Sequence, residues 1–264
     1  MEPQVYITSL NQKLFEDYGK NFVESWLANA ALDLVLIVVH EEQKADYLAP
    51  YSSGNVISLP LASEEYALFK KKFGRFTEAA GFSLIPLDQA QNSYQLNYNY
   101  RFDALRFSFK IFSLMKVLRT GLVTNEFAWI DADIICRQPF SADQMRPMFP
   151  EVGQIASYLG RTSFPQPNPH SECGFVGYRL DNSSVVEFLE DFERLYIEGS
   201  IFQLTEWHDS YIFDVLRIKY ESMGHEFKNL VAGLPESEHP FMSSKLAEMF
   251  DHLKGPDRKK RGFS

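Results

Sequence analysis

The sequence predicts an α/β fold with a mostly parallel central sheet flanked by helices. Apolar segments of strand length alternate with amphipathic segments of helical spacing from the N-terminus onward, in the order strand, helix, strand, helix, strand. Residues 34–39 form an uninterrupted apolar run, which is typical of a strand buried on both faces of a parallel sheet. The length of 264 residues and the apolar fraction of 45% suit one large domain, so we expect a single domain over residues 1–264.

The N-terminal half, residues 1–135, carries the repeating βαβ pattern. The predicted strands are residues 5–8, 34–39, 56–59 and 127–130, and the predicted helices are residues 13–28, 63–79 and 100–118. Ser63 has the properties of an N-cap, and Glu64 and Glu65 follow it in the first turn, where the helix dipole favours acids.

The C-terminal half, residues 136–264, has a looser pattern. We expect strands at 155–159 and 173–179, a helix behind the second strand and another at 209–219, and a stiff proline-containing loop over residues 160–171. A last helix is predicted over residues 243–251, because His252 and Gly255 follow it in the order expected of a helix C-terminus.

Charge and cysteine content exclude several classes of protein. The formal charge of −9 argues against a nucleic-acid partner, since the phosphate backbone must be met by clustered Lys and Arg. Two cysteines are too few for a disulfide framework. Without a leader or a run of about 20 apolar residues, we expect a soluble, cytoplasmic protein with no transmembrane segment. A short basic cluster over residues 254–261 permits only weak peripheral membrane contact.

The sharpest chemical feature is Asp131-Ala132-Asp133 at the end of the apolar strand Phe127-Ala128-Trp129-Ile130. Ligands of open α/β sheets collect outside the carboxyl ends of the strands. Two carboxylates one residue apart at that edge offer hard oxygen ligands to Mn²⁺ or Mg²⁺, and such an ion can bridge a diphosphate. The alternative is a solvated turn, because many surface loops contain two acids at this spacing.

This segment resembles the GT-A class of glycosyltransferases, in which an apolar strand ends in a DxD motif that holds the metal and the donor diphosphate. The resemblance implies a Rossmann-like nucleotide-binding half over residues 1–135 and an acceptor half after it. It implies that Asp131, Ala132 and Asp133 contact the metal and donor, and that Thr8 and Ser9, at the end of the first strand, contact the nucleoside. For Thr8 and Ser9, a strand-to-helix cap is the alternative.

His252-x-x-Gly255-x-x-Arg258 is similar to the C-terminal signature of glycosyltransferase family 8. The resemblance implies that His252 is the third metal ligand and that Gly255 and a cation three residues later contact the diphosphate. This sequence has Arg258 where that family has Lys, with Lys259 next, so the identity of the cation stays open. A histidine at a helix C-terminus is also favoured by the helix dipole alone.

Arg106 and Lys110 lie on the helix that precedes the DxD strand. In GT-A enzymes a cation from this region commonly meets the donor, so the resemblance implies that they bind it. The alternative is a surface face on which Arg106 pairs with Asp103, which would be worth only a few tenths of a kcal/mol.

Two acids are candidates for the catalytic base. Glu172 opens a glycine-containing strand that resembles the border of the acceptor site, and Asp209 follows an acid, an aromatic residue and an imidazole in a region where family 8 carries an acceptor-facing Asp. Asp209 is equally suited to be an N-cap. A base on the far face of the sugar would invert its configuration, whereas the family 8 resemblance implies retention.

The sequence therefore indicates a metal-dependent glycosyltransferase that moves a sugar from a nucleotide donor, such as a UDP-sugar, to a glycan, a lipid-linked glycan or another hydroxyl acceptor. A non-catalytic sugar-nucleotide or glycan binder would have a similar sequence. A phosphatase of the haloacid-dehalogenase type also uses a DxD strand. It requires Thr or Val four residues after the first Asp, where this chain has Ile135.

Overall fold

The computed structural model describes residues 3–52, 54–88, 93–161, 170–234 and 239–253. Its strands are β1 (Gln4–Leu10), β2 (Leu34–His40), β3 (Val56–Pro60), β4 (Ala80–Asp88), β5 (Ser93–Asp103), β6 (Glu126–Ile130), β7 (Ile134–Cys136), β8 (Gln154–Leu159), β9 (Glu172–Arg179), β10 (Glu226–Asn229) and β11 (Phe250–His252). Its α-helices are α1 (Gln12–Leu14), α2 (Lys20–Asn29), α3 (Glu64–Phe73), α4 (Ala104–Thr120), α5 (Ala142–Met145), α6 (Ser184–Glu198), α7 (Asp209–Ser222) and α8 (Pro240–Ser243).

The central sheet has seven strands in the order β10-β8-β9-β6-β1-β2-β3. β1 pairs in parallel with both β2 and β6, and β2 pairs in parallel with β3. β9 runs antiparallel to its neighbours β6 and β8, while β10 is parallel to β8. The predicted fold class, α/β with a mostly parallel sheet, is confirmed. Because β1, β2 and β6 point the same way, their carboxyl ends meet at one edge of the sheet.

Two hydrophobic clusters cover the two faces of this sheet. One cluster includes the inward faces of α3, α4, α6 and α7, with Phe112 and Phe188 among its buried residues. The other lies under α2 and the C-terminal segment, with Trp26 and Phe250 among its buried residues. Apolar side chains at helical spacing therefore pack the helices against both faces, and this layering holds the strand ends in place.

The structure contains a hairpin where the sequence predicts a helix start. β4 and β5 form a separate two-stranded antiparallel sheet, and β5 takes up residues 100–103, so the helix predicted over 100–118 begins at Ala104. The helix predicted over 63–79 ends earlier than expected, at Phe73, with Gly74 as its C-cap. The N-cap of α4 is Asp103, whose carboxylate accepts the N–H of Arg106 at 3.0 Å. This local bond stops the helix from extending backward into β5.

The prediction of a last helix over residues 243–251 is wrong. α8 ends at Ser243, a 3₁₀ turn spans Lys245–Glu248, and β11 follows as a strand antiparallel to β7. The hydroxyl of Ser244 accepts the N–H of Leu246 at 3.2 Å and so caps a short turn. His252 is therefore part of a strand, and its interpretation as a helix C-terminal cap is also wrong.

The predicted first helix, residues 13–28, is divided in the structure. α1 and α2 flank a π-helical turn at Phe15–Gly19, which widens the helix beside the carboxyl end of β1. Among the described residues, no helix combines the length and apolar character that a membrane span requires.

Candidate functional site

A cavity of about 980 Å³ opens at the carboxyl ends of β1, β2 and β6. Its lining contains nine of the residues that the sequence singles out, which are Ser9, Arg106, Lys110, Asp131, Ala132, Asp133, Glu172, Asp209 and His252. These residues come from both halves of the chain. The cavity is therefore the place where the predicted donor, metal and acceptor residues meet.

Asp131, Asp133 and His252 bring ligand atoms together at one side of the cavity. The Nε2 atom of His252 lies 3.1 Å from Oδ1 of Asp133 and 3.8 Å from Oδ2 of Asp131. All three ligand atoms lie within 4.8 Å of one another. Ligands bound at about 2.1 Å and at right angles around Mg²⁺ or a similar ion lie about 3 Å apart. The three side chains therefore fit an octahedral divalent ion after a small contraction.

The pairing of β7 with β11 places His252 in this group. His252 lies opposite Ile134, the residue that follows Asp133, and the N–H of Leu253 donates to the carbonyl of Asp133 at 2.9 Å. The imidazole is 1% exposed, and its Nδ1 atom has no hydrogen-bond partner among the described residues. The Nε2 atom can donate a hydrogen bond to Asp133 or, in the other tautomer, offer its lone pair to an ion that the two carboxylates also contact.

Gly174 makes room for this imidazole. A Cβ atom at position 174 would lie 2.7 Å from Cε1 and 3.1 Å from Nδ1 of His252. The carbonyl of Gly174 also accepts the N–H of Asp131 at 2.9 Å, so β9 fixes the backbone of the first acid. This close approach is the physical reason for a glycine in the segment Glu172-Cys173-Gly174.

The two oxygens of Asp131 face different partners. Oδ1 accepts the indole N–H of Trp129 at 2.6 Å and lies 3.6 Å from the ammonium of Lys110, whereas Oδ2 is the oxygen nearer His252. One oxygen thus orients the carboxylate, and the other is directed toward the proposed ligand group.

Lys110 is a buried cation held between acids. Its ammonium pairs with Asp131 and with Asp209, donates to the carbonyl of Cys173 at 2.7 Å, and lies 5.0 Å from the centre of the Trp129 ring. Burial by itself would lower the pKa of Lys110, but the charges of Asp131 and Asp209 outweigh it, and the pKa is raised. Lys110 therefore stays charged and ties the two acids together.

The two predicted catalytic acids both have cationic partners. Glu172 is bound by Arg161 at 2.8 Å and accepts the N–H of Gly174 at 3.2 Å. Asp209 pairs with Lys110 and is the first residue of α7, whose N-cap is His208. Asp209 is consequently not the N-cap that the alternative interpretation required. Each of the two candidate bases therefore already has a cationic partner in the structure.

The structure does not bring every predicted residue to the cavity. The side chain of Thr8 is fully buried on the other face of β1, and its hydroxyl has no hydrogen-bond partner among the described residues. Ser9, the next residue, lines the cavity. Gly255 and Arg258 lie outside the described residues.

Several lining residues escaped the sequence analysis. Glu41 directly follows β2, and the rule that identified Asp131 at the end of β6 would also have identified it. Asn11 donates to Glu41 at 3.2 Å, and Tyr18 lies on the π-helical turn. Burial and the neighbouring Glu42 raise the pKa of Glu41 from 4.5 to about 7. Glu41 therefore titrates near neutral pH.

Acids outnumber cations in the lining. The carboxylates are Glu41, Asp131, Asp133, Glu172 and Asp209, and the side chains with a permanent positive charge are Arg106 and Lys110. Such a lining repels a diphosphate and attracts a divalent cation. A diphosphate ligand would therefore require a cation that enters with it or before it.

A second group of potential metal ligands lies beside Tyr100 and Asp209. His170, Glu206 and His208 have ligand atoms within 4.8 Å of one another. Glu206 also pairs with Arg101 at 3.2 Å, and the Nδ1 atom of His208 accepts the N–H of Tyr211 at 3.4 Å. That acceptor role places the proton of His208 on Nε2, which then donates to Glu206 at 2.8 Å. Glu206 and His208 are thus satisfied by hydrogen bonds and an ion pair.

No protein-family model matches this sequence, and no curated protein sequence matches it. Solved structures do match it. The bifunctional glycosyltransferase WbbM aligns with 96% of this chain at a TM-score of 0.51 and 11% identity, and this chain covers 46% of WbbM. Mouse xyloside xylosyltransferase 1 aligns with 87% of this chain and 85% of its own, at a TM-score of 0.47 and 10% identity.

The galactosyltransferase LgtC, solved with donor and acceptor sugar analogs, aligns with 80% of this chain and 70% of its own, at a TM-score of 0.43 and 10% identity. At these identities the likeness shows the fold alone. The chain has the α/β fold of GT-A glycosyltransferases.

Proposed function

We propose that this protein is a metal-dependent glycosyltransferase that uses a nucleotide-diphosphate sugar. The observation that carries the proposal is the convergence of Asp131, Asp133 and His252 at one side of a cavity on a GT-A fold. The metal would be Mn²⁺ or Mg²⁺, since two carboxylates and one imidazole suit a hard or borderline ion. When bound, such an ion neutralises the diphosphate and stabilises the charge on the departing nucleoside diphosphate.

The protein residues orient this group and complete the donor site. Trp129 and Lys110 hold one oxygen of Asp131, which leaves the other for the ion. Arg106 is an exposed cation at the cavity wall, on the helix that begins at Ala104, and its charge is available to a donor phosphate. Lys110 lies deeper, between two acids, so we assign it a positioning role in addition to the donor contact implied by the resemblance.

The nucleoside would lie at the carboxyl ends of β1 and β2. Ser9, Asn11, Tyr18 and Glu41 line that part of the cavity and provide hydroxyl, amide, aromatic and carboxyl groups. Polar groups with one aromatic surface suit a nucleoside, and a UDP-sugar is the donor that we propose. The acceptor, a glycan, lipid-linked glycan or another hydroxyl compound, would approach from the side of Ser171 and Asp209.

Retention of the anomeric configuration is the outcome that we propose. Both candidate bases, Glu172 and Asp209, are paired with cations, and a retaining transfer in which the leaving phosphate accepts the acceptor proton needs neither of them. The anomer of the product, determined by NMR, tests this. An inverted product would assign one of the two acids as the base.

Thermal unfolding with nucleoside diphosphates tests the donor site directly. UDP with Mn²⁺ at about 100-fold excess over the Kd should raise the Tm by roughly 5 to 10 °C, because a ligand that binds only the native state stabilises it. UDP alone should have a much smaller effect, because the cavity is acidic. If no nucleoside diphosphate changes the Tm in the presence of Mn²⁺ or Mg²⁺, the proposal is wrong.

A non-catalytic sugar-nucleotide binder is the second candidate, because the pairing of both candidate bases with cations also suits a site without turnover. An assay for UDP formed from a UDP-sugar in the presence of Mn²⁺ separates the two candidates. A glycosyltransferase should cleave the donor slowly even without an acceptor, whereas a binder should not cleave it. The phosphatase alternative remains the least supported, because this chain has Ile135 where that family has Thr or Val and its fold resembles that of a glycosyltransferase.

A further inference from the structure

The β4–β5 hairpin has an exposed apolar side. In this antiparallel pair Leu84 lies opposite Leu96 and Phe82 lies opposite Tyr98, and residues opposite each other point to the same side. Tyr94 lies on that side too, two residues before Leu96. The exposed fractions are 67% for Leu84, 58% for Tyr94, 55% for Leu96 and 43% for Tyr98. We call these four residues the hairpin stripe.

The other side of the hairpin is mainly polar. Ser83 lies opposite Asn97 there, and Ile85 lies opposite Gln95. This alternation of apolar and polar residues is the pattern of a strand with one buried face, yet the apolar face is exposed. Neighbouring exposed apolar residues of this kind are a candidate interaction surface.

The hairpin stripe leads to the cavity. The hydroxyl of Tyr98 donates to Asp103 at 2.9 Å, which is the N-cap of α4. Tyr100, two residues after Tyr98, lines the cavity, and its ring centre lies 5.8 Å from that of His208 beside Asp209. An extended strand from Tyr94 to Tyr100 spans about 20 Å. β5 thus connects the hairpin stripe to the cavity lining, because Tyr98 and Tyr100 lie two residues apart next to the register shift between Ala80 and Phe82.

The charge of the hairpin restricts what can cover it. Residues 80–100 contain no Lys or Arg and a single acid, Asp88. Attraction to anionic lipid or nucleic acid requires clustered basic residues, so both are disfavoured as partners. The occupant should instead be uncharged and able to use tyrosine rings and hydroxyls together.

We propose that the hairpin stripe binds the outer sugars of an extended, uncharged oligosaccharide acceptor whose terminal sugar lies in the cavity. The inference rests on the proposed function. The rings of Tyr94 and Tyr98 offer flat apolar surfaces to the C–H face of a sugar, and the hydroxyl of Tyr94 can bond to a sugar hydroxyl at little cost in side-chain entropy. Continuity with the cavity at Tyr100 favours the acceptor over an unrelated ligand.

The test compares two double variants on opposite sides of the same hairpin. Tyr94→Ser with Leu96→Ser alters the hairpin stripe, and Gln95→Ser with Asn97→Ser is the matched control on the polar side. The probe is an array of immobilised uncharged oligosaccharides of one to eight sugars. The wild-type protein should bind the longer oligosaccharides on the array more strongly than the monosaccharides. The stripe variant should bind the longer ones about tenfold more weakly, whereas the control should not.

The nucleotide measurement separates this inference from the proposed function. Both double variants should keep the wild-type Tm increase with UDP and Mn²⁺, because neither touches the metal group. If the wild-type protein binds no oligosaccharide on the array, the hairpin inference is wrong. If it still shows the Tm increase with UDP and Mn²⁺, the proposed function stands. Equal losses in both double variants would also overturn it.

Two other outcomes would assign the stripe to a different partner. Binding of the wild type to phosphatidylcholine vesicles that is lost in the stripe variant would indicate a lipid surface. A dimer of the wild type that dissociates in the stripe variant would indicate self-association. Loss of oligosaccharide retention in the stripe variant alone, with no vesicle binding and no change in oligomeric state, supports the inference.

Discussion

The Nε2 atom of His252 lies 3.1 Å from Oδ1 of Asp133, although 119 residues separate them along the chain. Two short strands bring them together, because β7 begins directly after Asp133 and β11 ends at His252. The contact therefore depends on backbone pairing and not on any helix. This relationship makes the three-residue group testable by substitution at each member.

Removal of Asp133 should abolish metal-dependent nucleotide binding. We expect Asp133→Ala to lower Mn²⁺ affinity by more than about 100-fold. Substitution of a residue that only hydrogen-bonds to a metal ligand lowers metal affinity by at most about 100-fold, and loss of a ligand itself should cost more. The measurement is the Tm increase with UDP and Mn²⁺. Asp143→Ala is the control, since that acid is 76% exposed and pairs only with nearby Arg146 in the described structure. Equal Tm increases in both variants would exclude Asp133 as a ligand.

Replacement of the imidazole should affect the metal more than the fold. His252→Phe keeps a ring beside Phe241, whose centre lies 5.1 Å away, but removes the nitrogen that faces the two acids. We expect weaker Mn²⁺ binding in a metal titration, and a Tm without ligand that is lowered only by the overpacking of the larger ring, of order 1 to 3 kcal/mol. His225→Phe is a control outside the cavity. An unchanged titration for His252→Phe would show that the ring serves packing alone.

A methyl group at position 174 should move His252. Gly174→Ala places a Cβ atom 2.7 Å from Cε1 of the imidazole, so the ring must shift and Mn²⁺ affinity should fall. Gly177→Ala is a matched control on the same strand, because its Cβ atom would meet Ser157 at 2.5 Å, away from the cavity. Both variants should lose stability through overpacking, of order 1 to 3 kcal/mol. If both also lose metal affinity equally, the effect is general and not an effect on His252.

Loss of Lys110 should destabilise the fold through the acids that it pairs. Lys110→Met leaves Asp209 and Asp131 without their shared cation, and breaking a buried pair costs about 3 to 5 kcal/mol. The measurement is the free energy of unfolding in urea. Adding Asp209→Asn should restore part of the loss, because one uncompensated charge is removed. If the double variant is no more stable than Lys110→Met, the two residues are not coupled.

The raised pKa of Glu41 predicts a specific pH dependence of stability. The pKa rises from 4.5 to about 7 on folding, so the native state binds more protons between these values than the unfolded state does. The stabilising contribution of protonated Glu41 to the free energy of unfolding is fully present below pH 4.5 and is lost as the pH rises through about 7. Glu41→Gln should therefore gain stability relative to wild type across this window.

The comparison is between Tm profiles from pH 4.5 to above 7. Glu151→Gln is the control, because Glu151 is 76% exposed at its side chain. A difference between Glu41→Gln and wild type that stays constant with pH would contradict the raised pKa of this carboxyl group.

Local pattern predicted most of the main sheet and the strand that ends in Asp131. Strands buried on both faces leave long apolar runs, and such runs are visible in one dimension. The hairpin also left a signal, because Tyr94, Leu96, Tyr98 and Tyr100 alternate with polar residues. The helix predicted over residues 243–251 failed because spacing cannot detect the partner strand β7.

The sequence by itself determined the α/β class and the position of two acids at a strand end, because periodicity and strand order are local properties. Only the tertiary structure decided which partners those acids have. Lys110, His252 and Gly174 come from a helix and two other strands, and their contacts with the acids depend on sheet order and on the β7–β11 pairing. Thr8 and Ser9 are a further example of what only the tertiary structure decides. Successive side chains of a strand point to opposite faces, so Thr8 is buried in the core and Ser9 lines the cavity.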